Sequence, residues 1–168
     1  VYGVTEGEIN ENTALEPKTL YGKSKLKAEK YVMSLNCESF KTVIIRPPMV
    51  YGRDCPGNFE RLRKISYITP VIPDTENKKS LIYIGNLALF ISEIIKNKKD
   101  GIYMPMDGEY VSTAQLMKYI SNKPVSKLIG AVKFLPLGAV KKAFGTLYYS
   151  ESIACKADYI TVEEAVRL

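Results

Sequence analysis

The sequence predicts an α/β protein in which helices pack against a mostly parallel β-sheet. Short runs of β-branched residues alternate with longer segments whose apolar residues recur at helical spacing. The chain has 168 residues, of which 46% are hydrophobic, and this is enough to form a core. No internal repeat or low-complexity linker is visible. The chain therefore reads as one domain or as part of a larger one.

Residues 1–18 are polar and acidic and are predicted to form a loop. Thr19 is the predicted N-cap of a helix that runs to about residue 35. Tyr21 and Lys25 lie on one flank of this helix, at the edge of the face predicted to be buried. That buried face is an apolar or small stripe made of Leu20, Ser24, Ala28, Tyr31 and Leu35.

The β-branched run at residues 41–46 predicts a strand that is buried on both faces. A helix over residues 58–68 and a strand over 80–84 follow. Asn86 is the predicted cap of a strongly amphipathic helix, which ends in a lysine cluster before a C-cap at Gly101. The predicted inward side chains of this helix are Leu87, Phe90, Ile91, Ile94 and Ile95.

The last third of the chain is less regular. A short strand at residues 102–104 precedes a helix that Ser112 or Thr113 caps. Thr161 with Glu164 three residues later predicts a capping box that opens a final helix. Two further segments are predicted between these helices, namely a strand or helical turn at 127–137 and a helix at 140–144.

Composition excludes several classes of protein. The chain has no histidine, which removes Ser-His-Asp and Cys-His catalysis and histidine-bound zinc. Its three cysteines are odd in number and widely spaced, which predicts no metal site and a reducing cytoplasm. No apolar run approaches the length of a membrane span. The net charge of +6 comes from dispersed lysines, so we predict a solvated surface rather than a nucleic-acid site.

Tyr21 and Lys25 are a candidate acid/base pair. Residues four apart on a helix are neighbours, and an ammonium beside a phenol favours the ionised phenol. Such a phenol can exchange a proton with a substrate hydroxyl. The spacing alone is weak evidence, because Tyr119 and Lys123 share it. That second pair lies at the predicted end of a helix, which favours a fraying terminus over a site.

The order of motifs resembles the extended short-chain dehydrogenase/reductases of the NAD-dependent epimerase/dehydratase family, in the UDP-glucose 4-epimerase-like group. The matching motifs are Val1-Tyr2-Gly3, Glu16-Pro17, Tyr21-Gly22-Lys23-Ser24-Lys25-Leu26 with Ala28-Glu29, Ile45-Arg46-Pro47-Pro48, Val50-Tyr51-Gly52, Gly57-Asn58-Phe59, Ser80-Leu81-Ile82-Tyr83-Ile84 with Asn86-Leu87, and Gly101-Ile102-Tyr103. The resemblance extends over most of the chain and is strong to about residue 120.

The resemblance implies a role for five residues. Tyr21 is the implied acid/base for a sugar hydroxyl, and Lys25 the implied partner that binds the nicotinamide ribose and promotes ionisation of the tyrosine. Pro48 would approach the nicotinamide, Asn58 the substrate diphosphate, and Lys79 the phosphates. Asn58 fits a helix cap equally well, and Lys79 alone fits a solvated loop lysine. No metal is implied.

The implied activity is nucleotide-sugar epimerisation through a 4-keto intermediate, with NAD as cofactor and NADP not excluded, for surface polysaccharide synthesis. Met49 stands where the epimerase has asparagine, which leaves a 4-ketoreductase or a dehydratase open. A non-catalytic binding or scaffold domain is the alternative from another class. The resemblance also implies a nucleotide-sugar substrate, with a UDP-sugar as the first candidate, and a homodimer built on the Tyr–Lys helix.

Two parts of the family pattern are missing. No Gly-rich dinucleotide turn occurs in the chain, and the catalytic Ser or Thr that the resemblance implies would lie just before Val1. We therefore expect a fragment: the second half of a Rossmann-type doubly wound parallel sheet with a small α/β substrate-binding region. The predicted segments are 1–56 for the rest of the dinucleotide-binding domain, 57–79 for a substrate-side helix and loop, 80–106 for elements returning to the sheet, and 107–168 for the C-terminal substrate-binding region. We expect the isolated chain to be inactive.

Overall fold

The structure is a computed structural model that describes residues 1–4, 6–126, 144–157 and 159–167. Within these ranges the helices are α1 (Leu20–Ser34), α2 (Asn58–Ile68), α3 (Ile84–Lys96), α4 (Thr113–Ser121) and α5 (Val162–Arg167). The strands are β1 (Gly7–Ile9), β2 (Val43–Ile45), β3 (Met49–Tyr51), β4 (Ile72–Pro73), β5 (Leu81–Tyr83), β6 (Gly101–Met106), β7 (Val125–Ser126), β8 (Leu147–Tyr149) and β9 (Ala154–Lys156).

Strand pairing is parallel in each sheet of the described residues. The largest sheet has the order β2-β6-β9, with the long strand β6 in the middle. The first half of β6, residues 101–103, pairs with β2, and its second half, residues 104–106, pairs with β9. Shorter pairs join β1 to β8, β3 to β5 and β4 to β7. The predicted α/β architecture is confirmed.

Three helix starts have the side-chain caps that the sequence predicts. Thr19 accepts a 3.0 Å hydrogen bond from the Gly22 amide at the start of α1. The Ser112 hydroxyl accepts a 3.0 Å hydrogen bond from the Gln115 amide at the start of α4. Thr161 and Glu164 form the predicted capping box of α5. These caps satisfy amide groups that the first turn of a helix leaves unpaired.

Two hydrophobic cores hold these elements together. The larger core is formed by α2, α4, α5 and strands β3 and β5, and its buried members include Tyr51, Phe59, Leu62, Leu81, Leu116, Met117 and Val162. A smaller core joins the N-terminal residues to β6 and β8 through Tyr2, Ile9, Met106 and Tyr149. The chain's first residues are thus packed against residues more than a hundred positions later.

A buried polar network connects the larger core to α3. The carboxylate of Asp107 accepts hydrogen bonds from the Tyr51 hydroxyl at 2.8 Å, from the Asn86 amide at 2.9 Å and from the Tyr83 backbone amide at 3.2 Å. The Asn86 side chain also pairs with both backbone groups of Ile160. Burial and the Asp107 charge raise the pKa of Tyr51, so this phenol stays a donor.

The stripe on α1 that was predicted to be buried is exposed. Leu20 is 86%, Tyr31 66% and Leu35 44% exposed, and Ser24 and Ala28 are exposed too. Periodicity shows which side chains share a helix face, but burial also needs an element packed against that face. In the described part of the chain, α1 contacts the sheet through β2, on another side of the helix.

Other local predictions need correction. The predicted N-terminal loop contains β1, whose Ile9 is buried against β8. Asn86 does not cap α3, because the helix begins at Ile84 and the Asn86 amide is buried in the Asp107 network. Gly101 does not cap the end of α3 but begins β6, after a C-cap at Asn97.

The burial predicted around β2 and α3 is incomplete. β2 is half-buried rather than covered on both faces, because it lies at the edge of its sheet. Ile95 was predicted to face inward but is 69% exposed. A groove of about 420 Å³ separates these elements; it is lined by Lys41, Val43, Ile45, Ile91, Ile94, Ile95, Lys98 and Lys99.

Two predictions on the C-terminal third lie outside the described residues. These are the strand or turn at 127–137 and nearly all of the helix at 140–144. The division of the chain at residues 56, 79 and 106 stays a prediction.

Candidate functional site

Tyr21 and Lys25 lie in the first two turns of α1 and contact each other. The Lys25 Nζ is 5.4 Å from the centroid of the Tyr21 ring, which is a cation–π distance. The Ser24 hydroxyl donates to the Tyr21 carbonyl at 2.8 Å, within the same capped turn. Tyr21 is 72% exposed and Lys25 is exposed as well. The structure therefore brings the predicted pair together on an accessible surface.

This arrangement is suited to binding hydroxyl groups and moving a proton. A phenol both donates and accepts hydrogen bonds, and an ammonium donates up to about three. A sugar or ribose hydroxyl placed over the pair can therefore be bound by Lys25 and exchange a proton with Tyr21. The two side chains lie on adjacent turns of one helix, so their relative position is set by α1 alone.

The residues before α1 are tightly packed. Gly3 has a φ of +78°, and a Cβ atom there would lie 1.8 Å from the carbonyl oxygen of Glu16. A Cβ on Gly22 would lie 2.8 Å from the Cβ of Pro17. Only glycine fits at both positions, so the N-terminal residues and the segment entering the helix are held close together.

An ion pair between Glu29 and Arg46 joins α1 to the end of β2. The Arg46 Nε donates to Glu29 Oε2 at 3.1 Å, and Nη2 pairs with Oε1. Nη1 donates to the Tyr2 hydroxyl at 2.9 Å, and the Tyr149 hydroxyl donates to the Arg46 carbonyl at 2.9 Å. Burial opposes the charge of Arg46, but the hydrogen bonds to Glu29 and Tyr2 outweigh it and raise the pKa of the guanidinium.

No role was predicted for this ion pair, although both residues belong to the motifs that carry the resemblance. The available signals were a single arginine at the end of a β-branched strand and one glutamate on a helix otherwise rich in lysine. Neither signal indicates that the two residues meet, since they are 17 positions apart on different elements.

The other predicted site residues lie on elements other than α1. Pro48 is half-buried in the loop between β2 and β3, two residues beyond Arg46. Asn58 is exposed at the first position of α2, where Gly57 is the N-cap. The alternative that Asn58 caps this helix is therefore wrong. The binding roles of Pro48 and Asn58 stay predictions.

Lys79 is half-buried and forms part of the backbone pairing. Its amide and carbonyl exchange hydrogen bonds of 3.1 Å with Val111, and it also bridges to Leu147. Burial lowers the pKa of its ammonium. The alternative of a solvated loop lysine is therefore wrong, and the predicted phosphate-binding role stays a prediction.

The second tyrosine–lysine pair is engaged in structural contacts. The Tyr119 hydroxyl accepts a hydrogen bond from Gln115 at 2.9 Å. Lys123 Nζ donates to the carbonyl oxygens of Ser66 at 3.0 Å, Tyr67 at 2.5 Å and Thr69 at 2.8 Å. Lys123 follows the end of α4 and binds the C-terminal end of α2, where unpaired carbonyls attract a cation. This anchoring leaves Tyr21 and Lys25 as the candidate pair.

Metal-binding clusters and membrane-spanning helices are absent from the described residues. No group of three or more carboxylate, cysteine or histidine side chains there is arranged to hold a metal ion. None of the helices in those ranges is both long and apolar enough to span a bilayer.

Comparison with known proteins identifies relatives for most of the chain. The model of the 3-beta hydroxysteroid dehydrogenase/isomerase family matches residues 3–104. UDP-glucose 4-epimerase of Vibrio cholerae is 35% identical over 123 residues, covering 67% of this chain and 37% of the relative. N-acetyl-alpha-D-glucosaminyl-diphospho-ditrans,octacis-undecaprenol 4-epimerase of Escherichia coli O157:H7 is 28% identical over 145 residues, covering 82% of this chain and 44% of the relative.

The fold also matches a solved structure. UDP-glucuronic acid 4-epimerase from Bacillus cereus, solved in complex with NAD, superposes with a TM-score of 0.65 at 20% identity, covering 99% of this chain and 56% of that one. The chain spans less than half the length of the two curated relatives. Since the family model matches more than half of it, the chain belongs to the 3-beta hydroxysteroid dehydrogenase/isomerase family of NAD-dependent epimerase/dehydratase-type short-chain dehydrogenase/reductases.

Proposed function

We propose that this chain is the second half of an NAD-dependent nucleotide-sugar 4-epimerase that acts through a 4-keto intermediate in surface polysaccharide synthesis. The observation that carries the proposal is the exposed Tyr21–Lys25 contact on a capped helix, in a chain of this family. The likeness to two relatives named as 4-epimerases, one acting on an undecaprenol-linked sugar, supports this choice of reaction and process.

Tyr21 has the proton-transfer role in this proposal. Its phenolate removes the proton of the sugar 4-hydroxyl as the carbon is oxidised, and it returns a proton when the 4-keto group is reduced. Lys25 places its positive charge over the Tyr21 ring and binds ribose hydroxyls through its donors. Bound NAD supplies the chemistry of accepting a hydride and giving it back. Reduction of the 4-keto group from its opposite face would yield the epimer.

The residues present fit only one end of a dinucleotide. The hydroxyl of Tyr21 and the ammonium of Lys25 are suitable partners for the nicotinamide ribose, and the half-buried Pro48 offers an apolar contact for the ring. The sequence contains no Gly-rich turn of the kind that binds the diphosphate. We propose that the 168-residue chain alone does not turn over and binds NAD weakly. Micromolar binding of NAD to this chain in a calorimetric titration would contradict this.

The substrate is proposed to be a nucleotide sugar, with a UDP-sugar as the first candidate. Asn58 and Lys79 are the proposed contacts for its diphosphate. Lys79 carries a positive charge but lacks the two-pronged geometry of arginine, so it would bind phosphate as a point charge. Replacing Lys79 with methionine in the full-length enzyme is expected to raise the KM for the nucleotide sugar more than it lowers kcat.

The experiment that tests the function is Tyr21→Phe in the full-length protein, assayed with UDP-sugars. Loss of the hydroxyl is expected to lower kcat at least about 100-fold, which is the usual contribution of a positioned acid/base. Tyr67→Phe is the matched control, because Tyr67 is an exposed tyrosine of another helix, α2. If Tyr21→Phe left activity unchanged, the alternative of a non-catalytic binding domain would replace the proposed one.

A 4-ketoreductase is the second candidate, and Met49 favours it. This residue replaces the asparagine of the epimerase pattern, and its side chain packs against the larger core. Product analysis separates the candidates: an epimer supports the proposal, a reduced sugar supports the ketoreductase, and a 4-keto-6-deoxy sugar would indicate a dehydratase.

The remaining assignments concern the setting of the enzyme. We propose a homodimer that uses the exposed apolar side chains of α1, since Leu20, Tyr31 and Leu35 offer a surface for a partner helix. Sedimentation of the full-length protein as a monomer at micromolar concentration would contradict this. A cytoplasmic location is proposed from the three free cysteines. No nucleic-acid partner is proposed.

A further inference from the structure

Helix α1 has one buried side chain, and this side chain contacts the sheet. Glu29 is 7% exposed and is the buried residue of this helix, and it reaches β2 through Arg46. A carboxylate that is removed from water requires a charged or hydrogen-bonding partner, and Arg46 supplies two parallel donors. A buried polar contact therefore helps to set the orientation of α1, beside the half-buried apolar side chains of Leu26 and Val32.

Glu29 belongs to the same helical row as the candidate pair. Tyr21, Lys25 and Glu29 follow one another at intervals of four residues. Each interval advances by roughly 40° around the helix, so Glu29 lies roughly 80° from Tyr21 and one turn beyond Lys25. Once Glu29 faces the sheet, Lys25 and Tyr21 must lie on the adjoining, exposed flank. A rotation of the helix by one residue would move them by about 100°.

Arg46 is itself held from two sides. Its Nη1 donates to the Tyr2 hydroxyl, and its carbonyl accepts from the Tyr149 hydroxyl, both at 2.9 Å. The guanidinium also lies over the Tyr2 ring, 5.2 Å from its centroid. The carbonyl of Tyr2 in turn accepts from the Glu16 amide at 3.3 Å, just before α1 begins. Tyr2 therefore contacts the segment that precedes α1 directly, and it contacts the middle of the helix through Arg46.

We infer that the Glu29–Arg46 ion pair, braced by Tyr2, positions the catalytic helix: it fixes the rotation of α1 and thereby the place of Tyr21 and Lys25 relative to Pro48. Arg46 lies two residues before Pro48, so one short segment carries both the anchor of the helix and the proposed nicotinamide contact. This inference rests on the proposed function. It makes Arg46 and Glu29 positioning residues that do not touch the substrate.

The test uses Arg46→Met and Glu29→Gln in the full-length enzyme. Small misplacements of a catalytic group cost up to about 100-fold in rate, so we expect kcat to fall roughly 30- to 100-fold in each variant. The KM for the nucleotide sugar is expected to change less than about threefold, because its proposed contacts are on other elements. The double variant is expected to be no slower than the worse single variant, because both changes remove the same contact.

Lys123→Met is the control for a merely structural role. It removes three hydrogen bonds that are remote from α1, and it is expected to lower the melting temperature while leaving kcat at 25 °C unchanged. If the Arg46→Met and Glu29→Gln enzymes behaved in this way, with lower melting temperature and unchanged kcat, the inference would be overturned. Partial recovery of kcat in Arg46→Lys, which keeps the charge without the fork, would support it.

Tyr2→Phe keeps the inference testable if the Arg46 variants do not fold. It retains the ring and removes one hydroxyl, and we expect kcat to fall about fivefold to tenfold, in line with the weaker hold on Arg46. An unchanged kcat in Tyr2→Phe would contradict the bracing role. The two proposals fail separately. A Tyr21→Phe enzyme with the wild-type kcat overturns the mechanism itself. An Arg46→Met enzyme with the wild-type kcat, beside a Tyr21→Phe enzyme of low activity, overturns only the positioning role.

Discussion

The hydroxyl of Tyr51 donates a 2.8 Å hydrogen bond to Oδ2 of Asp107, and both side chains are almost completely buried. The same carboxylate accepts from Asn86 and from the backbone amide of Tyr83. A buried charge is stable only when its hydrogen-bonding capacity is used, so each donor in this network contributes to folding.

Tyr51→Phe is expected to lower the free energy of unfolding by about 1–3 kcal/mol, because it leaves the buried carboxylate with one donor fewer. Urea unfolding followed by circular dichroism measures this change. The control is Tyr67→Phe, which removes a hydroxyl from an exposed ring and is expected to change the free energy by less than about 0.5 kcal/mol. Equal stability of the two variants would contradict the importance of the network.

Stability is expected to fall as pH rises above about 10, the value at which an unfolded tyrosine ionises. Burial raises the pKa of Tyr51 and that of Tyr149, so the folded protein holds these protons more tightly than the unfolded chain. The stabilisation is therefore complete below pH 10 and is lost as pH rises from that value toward the folded pKa.

The loss amounts to at most about 1.4 kcal/mol per pH unit for each tyrosine. Urea unfolding at several pH values between 9 and 11 measures the slope for the wild type and for Tyr149→Phe. The variant is expected to show a shallower fall. Parallel curves for the two proteins would show that Tyr149 is not linked to folding in this range.

Lys123→Met is expected to destabilise the fold by about 1–3 kcal/mol, because it removes the donors that satisfy three carbonyls at the end of α2. The measurement is chemical unfolding of the purified protein. Lys118→Met is the matched control, since Lys118 is an exposed lysine of α4, the helix that precedes Lys123. Similar losses in both variants would point to a general charge effect rather than to the contact with α2.

Asn86→Ala is expected to loosen the C-terminal helix before the rest of the fold. The Asn86 side chain pairs with the amide of Ile160 at 3.1 Å and with its carbonyl at 2.8 Å, just before α5. Hydrogen–deuterium exchange should show faster exchange in residues 159–167 of the variant. Asn97→Ala, at the exposed end of α3, is expected to leave that exchange unchanged. Unaltered exchange in Asn86→Ala would contradict the prediction.

Local features of this fold were predictable from the sequence, because their causes are local. The Thr161–Glu164 capping box and the Ser112 cap depend on residues three positions apart, which a sequence displays directly. The Tyr21–Lys25 contact likewise depends on residues that are four positions apart on one helix. The motifs around that pair, rather than its spacing, separated it from Tyr119 and Lys123.

Contacts between distant residues were not predictable in this way. Asparagine is a common helix cap, but Asn86 instead binds Ile160, which lies 74 residues away in the sequence. In the sequence Glu29 resembles a surface glutamate, and only the fold shows that Arg46, after β2, lies beside it. The periodicity of α1 identified a stripe correctly but not its exposure, because burial depends on what the rest of the fold places against the helix.

Strand β6 pairs with β2 through residues 101–103 and with β9 through residues 104–106. The side of the molecule that carries α1 and the C-terminal side are therefore attached to consecutive halves of one strand. A change of register beyond residue 106 would leave the partners of β2 in place. The C-terminal side thus reaches the α1 side by two routes, through the middle strand and through the hydrogen bond from the Tyr149 hydroxyl to the Arg46 carbonyl.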